Sequence, residues 1–414
     1  MVIFISDFDL TGSGYMQIAI GLCTQLERRD HQVMALGLGY TGGEHNWPFS
    51  IIPIPDRDFI PVCGAMLQNL QFISNAGQLP PIDAIVVAMD IPMHERFLGM
   101  ERGQIPYVGI FPVESGPVTP SWANILAGMT RRLVISKYGT EQVQQKKLEA
   151  TYLPVGIDTA SWRRPTANER KSLRTAMGFA EDEFVVLTVA DNHERKNLWR
   201  AGEIIADLNK KVKTNWVLVT RVKSQVGWLI DDMAVDLGLT ERLFKYERGL
   251  AFDRLWTLYA VADAFLLTSK AEGLCMPVLE AMATGVPVAA TWFTAVPEHL
   301  YEDPIKRKGQ RGFPIEVEYV TNDPWGNSYR AFPGRASGVE ALSTILKWRG
   351  KKLDEITARA RAYAESRTID MTGATLDGIV RAVSAAHLPP AAAGSGVTPM
   401  TVPHLIPLKA KEDA

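Results

Sequence analysis

The sequence predicts an α/β protein made of two doubly wound, parallel-sheet domains. Short apolar runs alternate with stretches of helical period along most of the chain, which is the pattern of repeated βαβ units. The alternation restarts after Pro154-Val155-Gly156-Ile157-Asp158, so the chain contains two similar series. At 414 residues it is also too long for one hydrophobic core.

In the first series Val2–Ser6 reads as a strand, Asp7-Phe8-Asp9-Leu10-Thr11-Gly12-Ser13-Gly14 as a glycine-bearing loop, and Gln17–Arg28 as a helix. Backbone amides in such a loop can approach a phosphate at the helix N-terminus, which makes Gly12, Ser13 and Gly14 candidates for binding a nucleotide or another phosphorylated ligand. Further strands are expected at Gln32–Leu38, Asp83–Ala88, Pro106–Phe111 and Arg132–Ser136, with a helix at Ala65–Ala76. The second series predicts strands at Phe184–Val189, Trp216–Thr220, Ala264–Thr268 and Val286–Ala290, and helices at Leu198–Asn209 and Asp253–Val261. Helical stretches at Glu340–Leu346, Lys351–Glu365 and Leu376–Val383 close the structure. The boundaries that follow are a first Rossmann-like domain at 1–160, a second at 161–370, a closing helix at 371–387 and an aperiodic tail at 388–414.

Composition narrows the functional classes. Hydrophobic residues at 46%, charged residues at 22% and a net charge of −2 describe a globular protein with no global drive towards nucleic acid or anionic membrane. No apolar run approaches the ~18 residues of a spanning helix. The start lacks the basic segment of a signal peptide, so a cytoplasmic location is expected. Cys23, Cys63 and Cys275 form neither a disulfide framework nor a zinc pattern, and the histidines show no ligand spacing, so no metal site is expected. His193 and His299 read as loop residues.

The most informative stretch is 269–290. The strand before it delivers a loop to the carboxyl edge of the sheet, Pro277 suits the first turn of a helix, and Gly285 stops that helix. Glu272 therefore lies on the loop and Glu280 near the helix start. Between them the amides of Gly273, Leu274, Cys275 and Met276 form an anion-binding turn. After the strand ending at Val189, a charged loop carries Arg195 and Lys196 to the same edge, where α/β sheets bind ligands.

Glu272-Gly273-x-x-x-Pro277-x-x-Glu280-Ala281-Met282-Ala283-x-Gly285-x-Pro287-Val288 resembles the signature of retaining, two-Rossmann-domain (GT-B) glycosyltransferases, most like glycosyltransferase family 4. Gly12–Gly14, Ser136-Lys137-Tyr138-Gly139, Pro154–Asp158 and Arg195-Lys196-Asn197 agree in order and spacing, and the resemblance covers roughly residues 1–385. It implies that Glu280 accepts hydrogen bonds from the ribose, that Glu272 holds donor-sugar hydroxyls, and that Arg195 and Lys196 bind the diphosphate. It further implies a UDP- or GDP-sugar as substrate, no cofactor, and an acceptor hydroxyl of unspecified origin. A nucleic-acid acceptor is possible but not indicated. Two side-chain cations and a row of amides can stabilise a departing diphosphate as a divalent metal does elsewhere, so metal-independent transfer is expected.

Departures from the family pattern are specific. Ala190-Asp191 stands where many members have an arginine, so fewer cations are expected on the diphosphate. Pro112-Val113-Glu114 follows the strand after which many members carry a histidine, which makes Glu114 the candidate contact for acceptor or donor sugar. Cys275 occupies a turn where glycine is usual, and its side chain is expected to narrow the phosphate pocket. Two other readings fit parts of the sequence. Asp7 and Asp9 after an apolar strand resemble the nucleophile motif of haloacid-dehalogenase-type phosphatases, which also requires a later acidic cluster for magnesium. A GT-B-shaped protein that binds nucleotide sugars without catalysis is the non-enzyme alternative.

Overall fold

The computed structural model describes residues 1–9, 14–55, 57–223, 227–323 and 328–387. Gly12, Ser13, Trp325 and the expected tail from 388 lie outside the described residues. Seven strands form the first sheet: β1 Val2–Asp7, β2 Val33–Leu38, β3 Ser50–Ile54, β4 Ala84–Ala88, β5 Tyr107–Phe111, β6 Arg131–Val134 and β7 Thr151–Tyr152. They are parallel in the order β3-β2-β1-β4-β5-β6-β7, with Ile5 opposite Leu36 on one side and Val87 on the other.

The second sheet repeats the plan with β8 Phe184–Val189, β9 Thr214–Thr220, β10 Leu243–Glu247, β11 Ala264–Leu267 and β12 Val288–Thr291. After the small hairpin of β13 Tyr301–Asp303 and β14 Lys308–Gln310, β15 Phe313–Ile315 joins its edge, giving the parallel order β10-β9-β8-β11-β12-β15. Helices cover both faces of each sheet, so the central strands are buried throughout and read as unbroken apolar runs rather than as alternation. In both sheets the strand order reverses beside the first strand of its series, between β1 and β4 and between β8 and β11, which is where such sheets open a crevice.

No strand was expected between residues 291 and 335, yet five occur there. The longest two, β16 Val317–Asp323 and β17 Ser328–Pro333, form an antiparallel hairpin outside both sheets. β16 is largely exposed, so it carries no apolar inner face for a periodicity to report. Edge strands β3 and β10 were missed for a similar reason, being half-covered and, in β3, interrupted by Pro53. The hairpin bridges both domains. Tyr329 N donates to Gly116 O at 3.1 Å, Ser115 Oγ to Tyr329 O at 2.5 Å, and Ala331 N to Lys270 O at 2.9 Å.

The C-terminal helix starts at Ile369, two residues before the expected boundary, and packs back on the first domain. Leu376, Val380 and Val383 share a core with Val2, Phe4, Ile18 and Leu22. The chain therefore crosses between the domains twice, and the two crossings touch. Ile157 bridges Thr368, and Gly156 N donates to Thr372 Oγ1 at 3.0 Å. A Cβ on Gly156 would lie 2.2 Å from Arg367 O, a backbone atom with little room to yield. Gly156→Ala is expected to lower stability by about 1–3 kcal/mol, as overpacking does elsewhere, a loss that chemical denaturation will measure.

Candidate active site

The two crevices face one another and enclose a cleft of about 520 Å³, within the size range of ligand sites. The first domain contributes Gly14, Tyr15, Asp90, Pro112 and Glu114, and the second contributes Asp191, Arg195, Lys196, Arg248 and the stretch Glu272–Pro277 with Glu280.

Arg195 and Lys196 lie in a 3₁₀ turn, Glu194–Lys196, closed by Asn197 in the left-handed conformation. This turn is tied to the Glu272 loop: Lys270 N donates to Arg195 O at 2.8 Å, Thr268 Oγ1 to Asn197 O at 3.0 Å, and Arg195 Nη1 to Ala271 O at 2.7 Å. The side chains form a continuous series of charges. Lys196 Nζ lies 2.6 Å from Glu272 Oε1, Arg195 Nη1 is 3.2 Å from Glu272 Oε2, and Arg195 Nη2 is 2.6 Å from Glu114 Oε1 across the cleft. Burial alone would raise the pKa of Glu272, but Lys196 and Arg195 outweigh it and hold the carboxyl at about 2. Burial pushes Glu114 above the ordinary carboxylate range, opposed mainly by Arg195.

Met276–Thr284 is a helix with proline in its first turn and left-handed Gly285 at its C-cap. Among the described residues, the amides of Gly273, Leu274 and Cys275 have no hydrogen-bond acceptor. Cys275 stands at φ 71° and ψ 76°, where a residue without Cβ is ordinarily favoured. Its side chain packs in the core of the second domain and also lines the cleft. A Cβ on Gly273 would come within 2.4 Å of Pro112 Cβ, so glycine there permits close approach of the two domains. Glu280, one helical turn into the cleft wall, is 3% exposed and accepts a 2.7 Å hydrogen bond from Tyr259 Oη. Burial raises its carboxyl to about 7, with the Tyr259 bond pulling the other way.

Residues 169–304 match the family described as Glycosyl transferases group 1. The chain carries a glycosyltransferase domain. EpsD of Bacillus subtilis (strain 168), whose name assigns it to the glycosyltransferases, is 29% identical over 163 residues, which cover 39% of this chain and 40% of EpsD. Whole-chain likenesses are structural. Sucrose-phosphate synthase from Thermosynechococcus elongatus aligns with a TM-score of 0.71 at 15% identity, covering 93% of this chain and 99% of that one. A glycosyltransferase from Rickettsia africae ESF-5 gives 0.69 at 12% identity, covering 92% and 98%. Anabaena Alr3699/HepE, solved in complex with UDP-glucose, gives 0.65 at 15% identity, covering 92% and 99%. The fold is GT-B, two Rossmann-like domains about a cleft.

Of the residues singled out in the sequence, Glu272, Glu280, Arg195, Lys196, Glu114, Gly14 and the turn 273–276 all line this one cleft. Arg248 was missed. It follows edge strand β10, lies 3.3 Å from Asp191 and 3.2 Å from Asp9, and brings a third cation to a cleft where Ala190-Asp191 had suggested only two. Tyr15 and Asp90, joined by a 2.5 Å hydrogen bond, were missed because a lone tyrosine and a strand-end aspartate carry no spacing signal. His299 is a correction. It lies in the helix Val296–Leu300, fully buried, with Nε2 2.7 Å from Leu274 O and Nδ1 3.1 Å from Tyr363 Oη, so it supports the turn 273–276 from behind.

The phosphatase constellation is not assembled among the described residues. Asp9 N donates to Asp7 Oδ1, Asp9 faces Arg248, and Asp231 on the helix Ile230–Asp236 pairs with Lys245. No group of three or more metal-ligating side chains occurs among the described residues.

Because the folded pKa of Glu280 is raised above that of an unfolded glutamate, ionising it in place opposes folding; the cost is absent below about pH 4.5 and complete above about pH 7. Glu280→Gln keeps the hydrogen bond from Tyr259 without the charge. It is expected to be more stable than the parent by about 2–4 kcal/mol at pH 8, a gain that fades towards pH 4.5 in paired denaturation curves.

Proposed function

We propose that the chain transfers a hexose from a UDP- or GDP-sugar to an acceptor hydroxyl, with retention of configuration and without a metal ion. The observation that carries this reading is the charge series Lys196–Glu272–Arg195–Glu114, which lines one cleft with the turn Gly273–Cys275 and with Glu280. The donor would rest mostly against the second domain, 161–370, and the acceptor against the first, 1–160. A cytoplasmic site of action belongs to the same reading, and among the described residues no helix is long and apolar enough to cross a membrane.

In the proposed reaction the bond between the sugar carbon and the phosphate oxygen breaks, and its electron pair leaves on the diphosphate. The acceptor oxygen adds to the same face of the sugar, and its proton passes to the departing phosphate oxygen. Negative charge then grows on the diphosphate, where Arg195, Lys196 and the amides of the turn are already oriented to meet it. Fixed donors need no reorganisation at that moment, which is how a side-chain cradle replaces a metal. Glu272, anionic at every working pH, is suited to accept hydrogen bonds from donor-sugar hydroxyls while its partners turn towards the phosphates. Glu280 is suited to the ribose hydroxyls. HepE, crystallised with UDP-glucose, supports a nucleotide sugar as the ligand class.

Screening nucleotide sugars by thermal shift, then following transfer and hydrolysis of the stabilising donor, tests the reading. NMR should show an anomeric configuration in the product identical to that of the donor, and rates should not respond to EDTA. Inversion would overturn retention, and binding without turnover would establish the non-catalytic alternative. Lys196→Ala should lower kcat by about 10²–10³, and Glu280→Ala should weaken nucleotide binding by about 1.5–3 kcal/mol in calorimetry.

A further inference from the structure

The second domain holds a larger cavity on the side away from the cleft. It measures about 620 Å³ and lies where β11 and β12 begin, with Asp263 and Pro287 in its wall, whereas the cleft lies where β8 and β9 end. The two share no lining residue: Tyr259 lines this cavity, Glu280 lines the cleft, and the hydrogen bond between them crosses the partition. Five cations line the cavity, Arg164, Arg170, Lys171, Arg174 and Arg349, against three carboxylates, Glu181, Asp263 and Asp354. Arg170 and Arg174, one turn apart on the helix Ala167–Ala176, converge with Arg349 on Asp263 at 3.0, 3.0 and 3.1 Å. One carboxylate cannot neutralise three guanidinium groups. Arg170 and Arg174 also donate to Val261 O, but a carbonyl satisfies a donor without supplying a full negative charge. Lys171 is matched by Glu181 at 2.8 Å. Arg164 has no side-chain hydrogen bond or ion pair among the described residues, and its stem lies over Gly285, where a Cβ would come within 3.1 Å of Arg164 Cδ.

We propose that this cavity binds a phosphate monoester, a sugar phosphate or a nucleoside monophosphate, at a second site separate from the cleft. Charge selects the phosphate. The lining carries two more cations than carboxylates, and a phosphate monoester brings about −1.5 to −2 at neutral pH, so one such group balances the surplus. Guanidinium groups suit its oxygens, because their planar fork donates two parallel hydrogen bonds. Size and surface select the ester over the bare ion. The volume falls within the ~300–1,000 Å³ of sites for small organic ligands, and Phe179, Ile345 and Leu353 offer apolar wall to a carbon body. Arg164 and Arg349 are both exposed to solvent, so the two can turn to an incoming ligand while the buried Arg174 keeps the frame in place. The binding asserted here does not depend on what the cleft does.

The test combines calorimetry with hydrogen-exchange mass spectrometry on the full chain. The probes are ribose 5-phosphate, glucose 1-phosphate and AMP, with inorganic phosphate and unphosphorylated ribose as the arms that lack the body or the charge. At least one monoester should bind at least tenfold more tightly than either of those two, and its addition should slow exchange in 164–175 and 345–357. A preference among the three tells a sugar phosphate from a nucleotide. Arg164→Glu should weaken that monoester at least tenfold and Arg164→Lys should keep most of the affinity; having no side-chain partner to lose, Arg164 can be changed without breaking an ion pair. Arg349→Ser is the second variant and should also weaken binding. Lys146→Glu, an exposed cation of the first domain, should leave binding unchanged and so controls for net charge. No binding of any monoester, inorganic phosphate bound as tightly as the esters, slowed exchange confined to the cleft segments, or full affinity in both arginine variants would each overturn the site. Monoester binding that depends on Arg164 in a protein without transferase activity would keep the site and sink the transferase reading alone.

Discussion

Glu272 is the constraint on which the rest of the cleft depends. A carboxylate that is 4% exposed is costly to keep ionised, and only the two adjacent cations make it tolerable. The converse holds for Arg195 and Lys196, whose charges need Glu272 and Glu114 when no ligand is present. The loop after β8 and the loop after β11 are therefore fixed to one another by mutual necessity, and bonds from the Lys270 amide and the Thr268 hydroxyl complete the connection. In the proposed transfer a diphosphate entering this set would not meet loose side chains. It would meet cations held at fixed spacing that can exchange one anionic partner for another with little movement, which is the preorganisation that charge stabilisation requires.

The surroundings of that cluster repeat one theme, in which a buried polar group is held by a single well-placed partner. Tyr259 holds Glu280, with Trp162 edge-on against the tyrosine ring. His299 holds the carbonyl of Leu274, and burial pushes its imidazole down to about 3, so it remains neutral and keeps one donor and one acceptor nitrogen. Each partner comes from a different element, so the turn bearing Gly273–Cys275 is supported from the helix on one side and from the Val296–Leu300 segment on the other.

Much of this was legible in the sequence because buried parallel strands announce themselves. Phe184–Val189, Leu198–Asn209 and Lys351–Glu365 fall where their apolar periodicity puts them. The loop positions of Arg195, Lys196 and Glu272 follow from strands that end just before them. What escaped notice lacks such a signature. Arg248 is one basic residue after a half-exposed edge strand, and only three-dimensional folding brings it to Asp191 and Asp9. In the β16–β17 hairpin β16 is largely exposed and mixes Tyr319 and Val320 with polar residues, so no alternation of apolar and polar side chains marks it. His299 reads as one more surface residue until the helix around it is seen to be buried.

The paired crossings at Gly156 and Arg367–Thr368 hold against one another the two segments that join the domains. Two chains that pass side by side and are bonded to each other resist sliding, but they tolerate rotation of one domain against the other. Other contacts also join the domains: Glu114 with Arg195, Asp9 with Arg248, and the hairpin with Ser115 and Gly116. A rotation that separates one pair strains its neighbours along the same arc. Such a rotation would pull at the Glu114–Arg195 ion pair and at the hairpin's bonds to Ser115 and Gly116 together, because both join the same two bodies across the cleft.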